Sequence, residues 1–212
     1  MTILVGENWS GSGYVNNKTP SSGGGTWVST VADMTYGGGF ANPDGNFNIV
    51  PAFHSATYTD TKLNVVAYSG NTGFNYSNPV IIYARADAND SGYPNCYYVT
   101  CIVNNNSGGG TPASVSLSKR VSGVETLLFN VAAENFGATI SLEVNGTAIK
   151  VYLNASLIID TTDSSITSAG YSGFGLNYNE VGDETGESTV GALTIETVAV
   201  AAVSASTSLM FF

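Results

Sequence analysis

Apolar and polar residues alternate along much of the chain after residue 51, with the two-residue period of half-buried strands. The alternation is regular in Ser114–Ser118, Ile140–Val144 and Ile149–Leu153. Each segment has one apolar and one polar face, as strands of an antiparallel sheet do. No window shows the i, i+3, i+4, i+7 apolar spacing of an amphipathic helix. The pattern therefore predicts an all-β fold.

Strands are predicted wherever β-branched and aromatic runs end at Gly, Asn or Pro. They are Ala52–Tyr58, Leu63–Tyr68, Val80–Ala86, Cys96–Val103, Ala113–Arg120, Glu125–Val131, Thr139–Val144, Ala148–Leu153, Ser156–Thr161, Tyr171–Leu176 and Ala192–Val200. Hairpin turns at Asn145-Gly146 and Asn154-Ala155 join three of them into a meander. Many short strands with frequent turn signals predict a two-sheet antiparallel β-sandwich.

Residues 1–200 are predicted to form one domain, followed by an apolar tail, residues 201–212, that is a possible docking arm. The N-terminal part, residues 1–51, is expected to be loop-rich, and it contains both tryptophans and the triple glycines Gly23–Gly25 and Gly37–Gly39. No helix and no Lys-Ser/Thr pair follows these glycines, so they do not match a phosphate-binding loop.

The composition excludes two classes of partner. The 212 residues carry only 10% charged side chains, with six Lys+Arg against sixteen Asp+Glu and a net charge of −10. Binding to a phosphate backbone needs clustered cations, which this chain lacks, so no nucleic-acid partner is expected. No apolar run reaches the length of about 18 residues that a membrane span requires, so no membrane partner is expected.

The start of the chain shows no secretory leader. The apolar run Ile3-Leu4-Val5 meets Gly6 and Glu7 at once, whereas a leader needs about 7–15 apolar residues after a basic start. An uncharged, aromatic-rich polar composition without a leader suggests a protein of the virion surface. A secreted protein whose leader was removed is the alternative location, namely extracellular.

Residues 139–176 resemble the laminin-G-like, concanavalin A-like jelly-roll family. The resemblance is carried by Ile140–Asn154, Ile159-Asp160, Asp163–Gly170 and Gly173–Gly175, which follow the family's order of strand, turn, strand and glycine pair. It implies a concanavalin A-like jelly roll. The family includes phage structural proteins, glycan-binding and adhesion modules and glycosidases, so the resemblance does not choose among these functions.

No enzyme is predicted. Glycoside hydrolysis needs two carboxylates facing one cleft, and no strand carries such a pair. Glu143 stands alone on a polar face, and Asp160 and Asp163 lie at a strand end and in a turn. His54 is the only histidine and no nucleophile elbow accompanies it, so a structural histidine is expected.

No cofactor is required, but two acidic segments could offer oxygen ligands to Ca²⁺. The first contains Glu180, Asp183, Glu184 and Glu187, and the second Asp87, Asn89 and Asp90. Neither has the spacing of an EF-hand, and a solvated acidic loop is the alternative for the first.

Exposed aromatic rings could stack on sugars. The candidates are Trp9, Trp27, Tyr36 and Tyr93, with Tyr97 and Tyr98 as further ones. Packing in the core or on a sheet is the alternative for each of them. Tyr97 and Tyr98 are adjacent on one predicted strand and must face opposite sides, so at most one of them is core.

Cys96 and Cys101 are five residues apart on the same predicted strand. This spacing puts them on opposite faces about 16 Å apart, too far for a disulfide. Both are expected to be small strand residues that stay reduced.

The tail ends in four large apolar residues, Leu209, Met210, Phe211 and Phe212. They either fold back as a final strand or dock on another subunit. The preferred functional hypothesis is a non-enzymatic virion protein, a phage capsid decoration (cement) or tail-associated protein. Its partners would be other virion proteins in a homo-oligomeric or multi-copy assembly. A secreted carbohydrate-binding or adhesion module with a glycan ligand is the alternative, and a glycoside hydrolase is the third hypothesis.

Overall fold

The computed structural model describes residues 2–29, 34–38, 40–43, 50–69, 77–88, 94–104, 114–132, 138–176, 178–181 and 184–198. In these ranges the chain forms strands and turns without helices, and none contains a helix that could span a membrane. The strands are β1 Ile3–Glu7, β2 Ser12–Tyr14, β3 Ser22–Gly23, β4 Trp27–Val28, β5 Met34–Gly37, β6 Phe40–Pro43, β7 Val50–Tyr58, β8 Thr61–Ser69, β9 Ser77–Ala86, β10 Cys96–Asn104, β11 Ser114–Val121, β12 Val124–Ala132, β13 Ala138–Asn145, β14 Ala148–Leu153, β15 Ser156–Thr162, β16 Gly170–Leu176, β17 Tyr178–Val181 and β18 Glu184–Thr197.

The described strands form two antiparallel sheets packed face to face, which confirms the predicted sandwich. Sheet A has the order β15-β14-β13-β8-β18-β6-β5-β2, with β1 and β17 also paired to β18 and β3 paired to β1. Sheet B has the order β12-β11-β10-β9-β16-β7-β4. Alternating side chains of both sheets meet in one core, as the two-residue period requires.

Each strand predicted after residue 51 has a counterpart among the described strands, although residues 113, 199 and 200 of the predicted ranges lie outside the description. The turn between β13 and β14 lies one residue later than predicted, because Asn145 pairs with Ala148 and leaves Gly146-Thr147 as the loop. Gly146 has φ +55°, a conformation that glycine adopts at little cost. The Asn154-Ala155 turn is confirmed, with both residues at positive φ.

The N-terminal part has short strands between its loops that the sequence did not reveal. It contains six short strands, and β1 pairs with β18 near the other end of the described chain. The pairing is antiparallel, with Gly6 opposite Thr194. Strands of two to five residues are too short for a periodic pattern to develop, so the sequence did not reveal them.

The buried Arg85 side chain forms hydrogen bonds that connect the two sheets at one end of the sandwich. Arg85 Nη1 donates to the carbonyls of Gly146 at 2.7 Å and Ile166 at 2.8 Å, and Nη2 contacts Asp60 Oδ1 at 3.1 Å. Because Gly146 lies in the turn between β13 and β14 of sheet A, and Arg85 lies on β9 of sheet B, these bonds join the two sheets. Arg85 has φ +54°, so its backbone departs from the regular strand.

Candidate functional site

The outer face of sheet A carries a row of alternating charges that crosses five neighbouring strands. In order of strand pairing, the row is Glu196, Lys62, Glu143, Lys150 and Asp160. Each lysine therefore lies between two carboxylates, and each side chain is half-buried or exposed. Opposite charges on directly paired residues stabilise a sheet modestly.

A second row on this face is joined by hydrogen bonds. Asn64 Nδ2 donates to Thr194 Oγ1 at 3.0 Å, and Ser141 Oγ donates to Asn64 Oδ1 at 2.6 Å. Tyr152 links the two rows, because its hydroxyl donates to Glu143 and its ring lies 4.1 Å from Lys62 Nζ. The described part of this face is a polar surface whose groups bond to one another.

The outer face of sheet B carries a row of aromatic rings instead. Tyr98 pairs with Tyr83, Tyr83 with Gly173, and Gly173 with Phe53, so the residues form one line across β10, β9, β16 and β7. The ring centroids of Phe53 and Tyr83 are 5.2 Å apart, and those of Tyr83 and Tyr98 are 6.2 Å apart. These separations are within the range of favourable aromatic pairs.

The aromatic row belongs to a second apolar cluster, separate from the core between the sheets. The cluster consists of Phe53, Ile81, Tyr83, Ala86, Cys96 and Tyr98, with Tyr171 packed against it. Its members are at most 8% exposed, so this outer face is not an ordinary solvent face.

Gly173 leaves space for the Phe53 ring in the row. A Cβ atom at this position would lie 2.8 Å from the ring and 2.2 Å from the carbonyl oxygen of Ala52. The glycine pair of the sequence, Gly173 and Gly175, faces outward on β16, because Phe174 between them lies in the core. The row therefore depends on a residue without a side chain.

Hydroxyl groups and small residues line the neighbouring row of the same face. Ser116 pairs with Thr100, Thr100 with Ile81, and Ile81 with Gly175. Ser116 and Thr100 are half-buried and so reach the surface. In the described part of this face, two half-buried hydroxyl side chains therefore lie beside aromatic rings that are almost fully buried.

On the described strands of this face, charged side chains lie only at the β11–β12 edge. The Arg120 guanidinium lies 5.5 Å from the Tyr98 ring centroid, and Arg120 Nη2 contacts Glu125 Oε1 at 3.2 Å. Glu125 has an arginine partner, and Asp87, which directly follows β9 and also acts on Cys96 of this face, accepts hydrogen bonds from Asn95. The described strands therefore do not place two facing carboxylates here, as a glycosidase site would need.

The prediction that Trp9 and Trp27 could stack on sugars is wrong, because both side chains are fully buried. The ring nitrogen of Trp9 donates to the carbonyl of Gly191 at 2.6 Å, and that of Trp27 donates to Glu7 at 3.3 Å. Both rings pack edge-on against Phe174 in the core. Their polar atoms are satisfied inside the protein, so burial costs little.

Glu7 organises this buried region. Its carboxylate accepts hydrogen bonds from Lys18 Nζ at 2.7 Å, Ser21 Oγ at 2.8 Å and the Trp9 amide at 2.7 Å. Burial opposes its ionisation, but these bonds outweigh burial and hold its pKa below the usual 4.5. Glu7 is therefore a structural carboxylate.

The other predicted aromatic candidates have different outcomes. Tyr36 is half-buried, with Lys18 Nζ 4.9 Å from its ring centroid, and Tyr93 lies outside the described residues. Tyr97 points into the core while Tyr98 lies on the outer face, which confirms the opposite orientation of the pair. Pairing of the four strands β10, β9, β16 and β7 brings Tyr98 to Tyr83 and Phe53, which were not among the candidates.

His54 and the cysteines are structural, as expected. His54 Nε2 donates to the Gly24 carbonyl at 2.7 Å, so Nδ1 is the acceptor for the Tyr58 hydroxyl at 2.7 Å. Burial lowers the pKa of His54 below 6.5, against the opposing effect of the Gly24 bond. Cys96 and Cys101 are free and buried, on opposite faces of β10. Burial raises the pKa of each thiol to about 12.

The calcium predictions remain predictions. Glu180, Glu184 and Glu187 lie on the β17–β18 hairpin, where Glu180 pairs with Thr185, and Asp183 is outside the described residues. Most of this acidic segment is therefore strand, whereas the sequence analysis gave a solvated loop as the alternative. Asp87 accepts two hydrogen bonds from Asn95, and Asn89 and Asp90 are outside the description. Among the described side chains, no group of three or more His, Cys, Asp or Glu could hold a metal.

The tail residues Leu209, Met210, Phe211 and Phe212 lie outside the described residues. Their docking role and the virion location therefore stay predictions.

Comparison with known proteins identifies the fold. No protein-family model matches the sequence, and no curated protein matches it significantly. Solved structures do match over nearly the whole chain. The carbohydrate-binding module CBM66 from Bacillus subtilis is 20% identical with a TM-score of 0.55, covering 90% of this chain and 98% of its own.

Two further structures match equally broadly. A LamA variant from Zobellia galactanivorans, in complex with laminaritriose and laminaritetraose, is 14% identical with a TM-score of 0.62, covering 92% and 99%. The carbohydrate recognition domain of Emp47p is 8% identical with a TM-score of 0.63, covering 88% and 93%. The chain has the concanavalin A-like jelly-roll fold that these proteins share.

Proposed function

We propose that this protein is a non-catalytic glycan-binding module whose binding surface is the outer face of sheet B. The observation that carries the proposal is the pairing of an aromatic row, Phe53 to Tyr98, with the hydroxyl row of Ser116 and Thr100. The hydroxyl groups of a sugar can exchange hydrogen bonds with Ser116 and Thr100, which reach the surface. The rings of the aromatic row are at most 8% exposed, so they support this face from beneath and are not stacking platforms.

Two further observations support the proposal. The fold is shared with a carbohydrate-binding module, a carbohydrate recognition domain and a protein solved with bound laminari-oligosaccharides. On the described outer face of sheet A, the side-chain groups of Asn64, Ser141 and Tyr152 are already hydrogen-bonded within the protein, and a row of charges lies beside them. Fold similarity at this level of identity shows architecture only, so the chemistry of the sheet B face has to carry the assignment.

The non-catalytic part of the proposal rests on the carboxylates of this face. Retaining glycosidases place two carboxyl groups about 5–5.5 Å apart, and inverting ones about 6.5–9.5 Å apart. Glu125, at the edge of the face, is 57% exposed and bound to Arg120. The neutral hydroxyls of Ser116 and Thr100 can hold a sugar but are not flanked by a described acid–base pair.

The test is a glycan array followed by titration calorimetry with the best ligand. Ser116→Trp should block the hydroxyl row and weaken binding more than about tenfold, since one lost contact of 1.4 kcal/mol has that effect. Thr139→Trp is the matched control, because Thr139 is a half-buried residue on the outer face of sheet A; it should bind as the wild type does.

Three results would overturn the proposal. One is the absence of any glycan ligand on a broad array. Another is equal binding by the two variants, which would move the site off sheet B. The third is steady release of reducing ends from the bound glycan, which would make the protein a glycosidase.

A further inference from the structure

The edge strand of sheet B turns two neighbouring side chains, Leu127 and Asn130, to the outer face that carries the proposed site. Asn130 pairs with Ser116 and so extends the hydroxyl row by one strand. Leu127 pairs with Ser118, and Ser118 with Tyr98, so Leu127 extends the aromatic row in the same direction. Both rows therefore continue from β10 across β11 to β12.

An irregularity in β12 makes this arrangement possible. The pairing with β11 shifts between Leu117 and Ser118, so Leu127 and Asn130 are three residues apart although their partners are two apart. The additional residue, Leu128, packs against the core. Regular alternation turns residues that are three apart to opposite faces of a sheet. The extra residue of the bulge turns both side chains outward instead.

These two side chains reach solvent, unlike the rings beside them. Leu127 is 61% exposed and Asn130 is exposed, whereas Tyr98 is 7% exposed. Among the residues that the structure describes, Leu127 is the most exposed apolar side chain of the two rows. It can therefore pack against a ligand, which the buried rings cannot do.

The polar side chains of the extended hydroxyl row are available to a ligand. Within the described part of the chain, Asn130, Ser116 and Thr100 make no side-chain hydrogen bonds. On sheet A, by contrast, Ser141 Oγ donates to Asn64 Oδ1 at 2.6 Å. An amide group donates through its nitrogen and accepts through its oxygen, and a hydroxyl group does both. The row thus offers donors and acceptors that complement the hydroxyl groups of a sugar.

The charged side chains next to this surface are paired. Arg120 and Glu125 form the next row toward the β11–β12 turn, and Arg120 Nη2 contacts Glu125 Oε1 at 3.2 Å. An anionic sugar would have to compete with Glu125 for this guanidinium, while the net charge of −10 repels it. The surface therefore favours an uncharged ligand.

We infer that the glycan is uncharged and crosses sheet B from Thr100 to the β12 edge, where Leu127 packs against a sugar ring and Asn130 bonds to sugar hydroxyls. The inference rests on the proposed function and adds the class of glycan, its direction and two contact residues. Neighbouring strands are about 4.8 Å apart, so the row from Thr100 to Asn130 spans roughly 10 Å. A single sugar ring is shorter than this span, so the ligand contains at least two sugar units.

Titration calorimetry with gluco-, manno- and galacto-oligosaccharides of one to four units tests the two contact residues. Leu127→Ala and Asn130→Ala should each weaken binding about threefold to tenfold, because each removes one contact. Val124→Ala and Thr126→Ala are matched controls on the same strand. Val124 is 65% exposed and Thr126 is exposed, but both lie outside the two rows. These controls should bind as the wild type does.

The length and charge of the sugar supply a second measurement. The affinity should rise more than about tenfold from the monosaccharide to the disaccharide, since only the disaccharide covers the row. It should be the same in 0.05 and 0.5 M NaCl, because no charge takes part in binding. Sulfated and uronic-acid-containing oligosaccharides should bind more weakly than the uncharged ones.

The results separate this inference from the proposed function. If the wild type binds no glycan, or if Ser116→Trp leaves binding intact, the proposed function fails and the inference fails with it. If Ser116→Trp weakens binding but Leu127→Ala and Asn130→Ala do not, the inference alone is overturned. Equal affinity for the monosaccharide and the disaccharide, or a preference for charged sugars, also overturns the inference alone.

Discussion

The two outer faces of this sandwich come from strands of similar length but have opposite chemistry. On sheet A, the residues that point away from the core include a row of alternating charges paired across five strands, beside amide and hydroxyl groups that hydrogen-bond to one another. On sheet B, the outward residues include Phe53, Tyr83 and Tyr98, which are at most 8% exposed. Sheet A thus follows the usual rule of one dry and one wet face, and sheet B breaks it.

The difference indicates that the outer face of sheet B has a composition that folding alone does not require. A polar outer face costs nothing and keeps the protein soluble. Aromatic rings on an outer face gain stability only if they are covered, and those of sheet B are at most 8% exposed. The glycan-binding proposal therefore rests on sheet B, and four predictions test whether the two faces differ as described.

Thiol labelling gives the largest expected contrast. Cys96 lies on the outer face of sheet B, is fully buried, and has a pKa raised by burial to about 12 from the usual 9.0. Because the thiolate is the reactive form, the Cys101→Ser protein should react with a disulfide reagent at pH 8 about 10³-fold more slowly when native than when unfolded.

A cysteine on the other face is the control. Lys150→Cys, in a chain whose two native cysteines are replaced by serine, places a thiol in the charged row of sheet A. It should react within about tenfold of the unfolded rate, since nothing there excludes the reagent. Comparable fast rates at both positions would show that the sheet B face is open to solvent and would remove the contrast.

Truncation of an aromatic ring on each face gives the next largest difference. Phe53→Ala should lower the free energy of unfolding by about 3–5 kcal/mol, the usual cost of deleting a buried phenylalanine. Tyr152→Ala on the half-exposed face of sheet A should cost about 1 kcal/mol. Urea unfolding monitored by tryptophan fluorescence measures both, and similar losses would contradict the burial difference.

The sequence revealed one of these faces much better than the other. The alternation in Ile140–Val144 and Ile149–Leu153 placed Glu143 on a polar face, and the structure confirms it. The central strands of sheet B, β9 and β10, are apolar on both sides, so the period that identifies a wet face is absent. The sequence therefore predicted these strands but not the surface they form.

The residues of the candidate site needed information that local patterns lack. Tyr83, Gly173 and Phe53 come together because β9, β16 and β7 pair in one register, and pairing partners far apart in the chain cannot be derived from spacing. Trp9 and Trp27 were misjudged for the same reason. Their partners, Gly191 and Glu7, become neighbours only after folding.

Gly173→Ala tests the support beneath the aromatic row. The added methyl group would meet the Ala52 carbonyl oxygen at 2.2 Å and the Phe53 ring at 2.8 Å, so the strand or the ring must move. We expect a loss of about 1–3 kcal/mol, as overpacking usually costs. Gly24→Ala is the control, because no atom lies within 4 Å of its added Cβ. Equal stability of the two variants would mean that Phe53 does not depend on Gly173.

Reversal of a charge in the sheet A row should have the smallest effect. Lys62→Glu would place three carboxylates side by side, between Glu196 and Glu143, and would remove the ammonium group over the Tyr152 ring. Exposed or half-exposed pairs contribute about 1 kcal/mol or less, so we expect a loss of that size in 0.05 M NaCl. The loss should shrink in 0.5 M NaCl, where the Debye length is only a few ångströms.

Lys62→Met separates the charge from the packing, because it keeps an apolar stem over the ring; its loss should be smaller and independent of salt. If Lys62→Glu instead costs as much as Phe53→Ala, the sheet A row supports the fold as strongly as the aromatic row, and the two faces differ in composition without differing in energetic role.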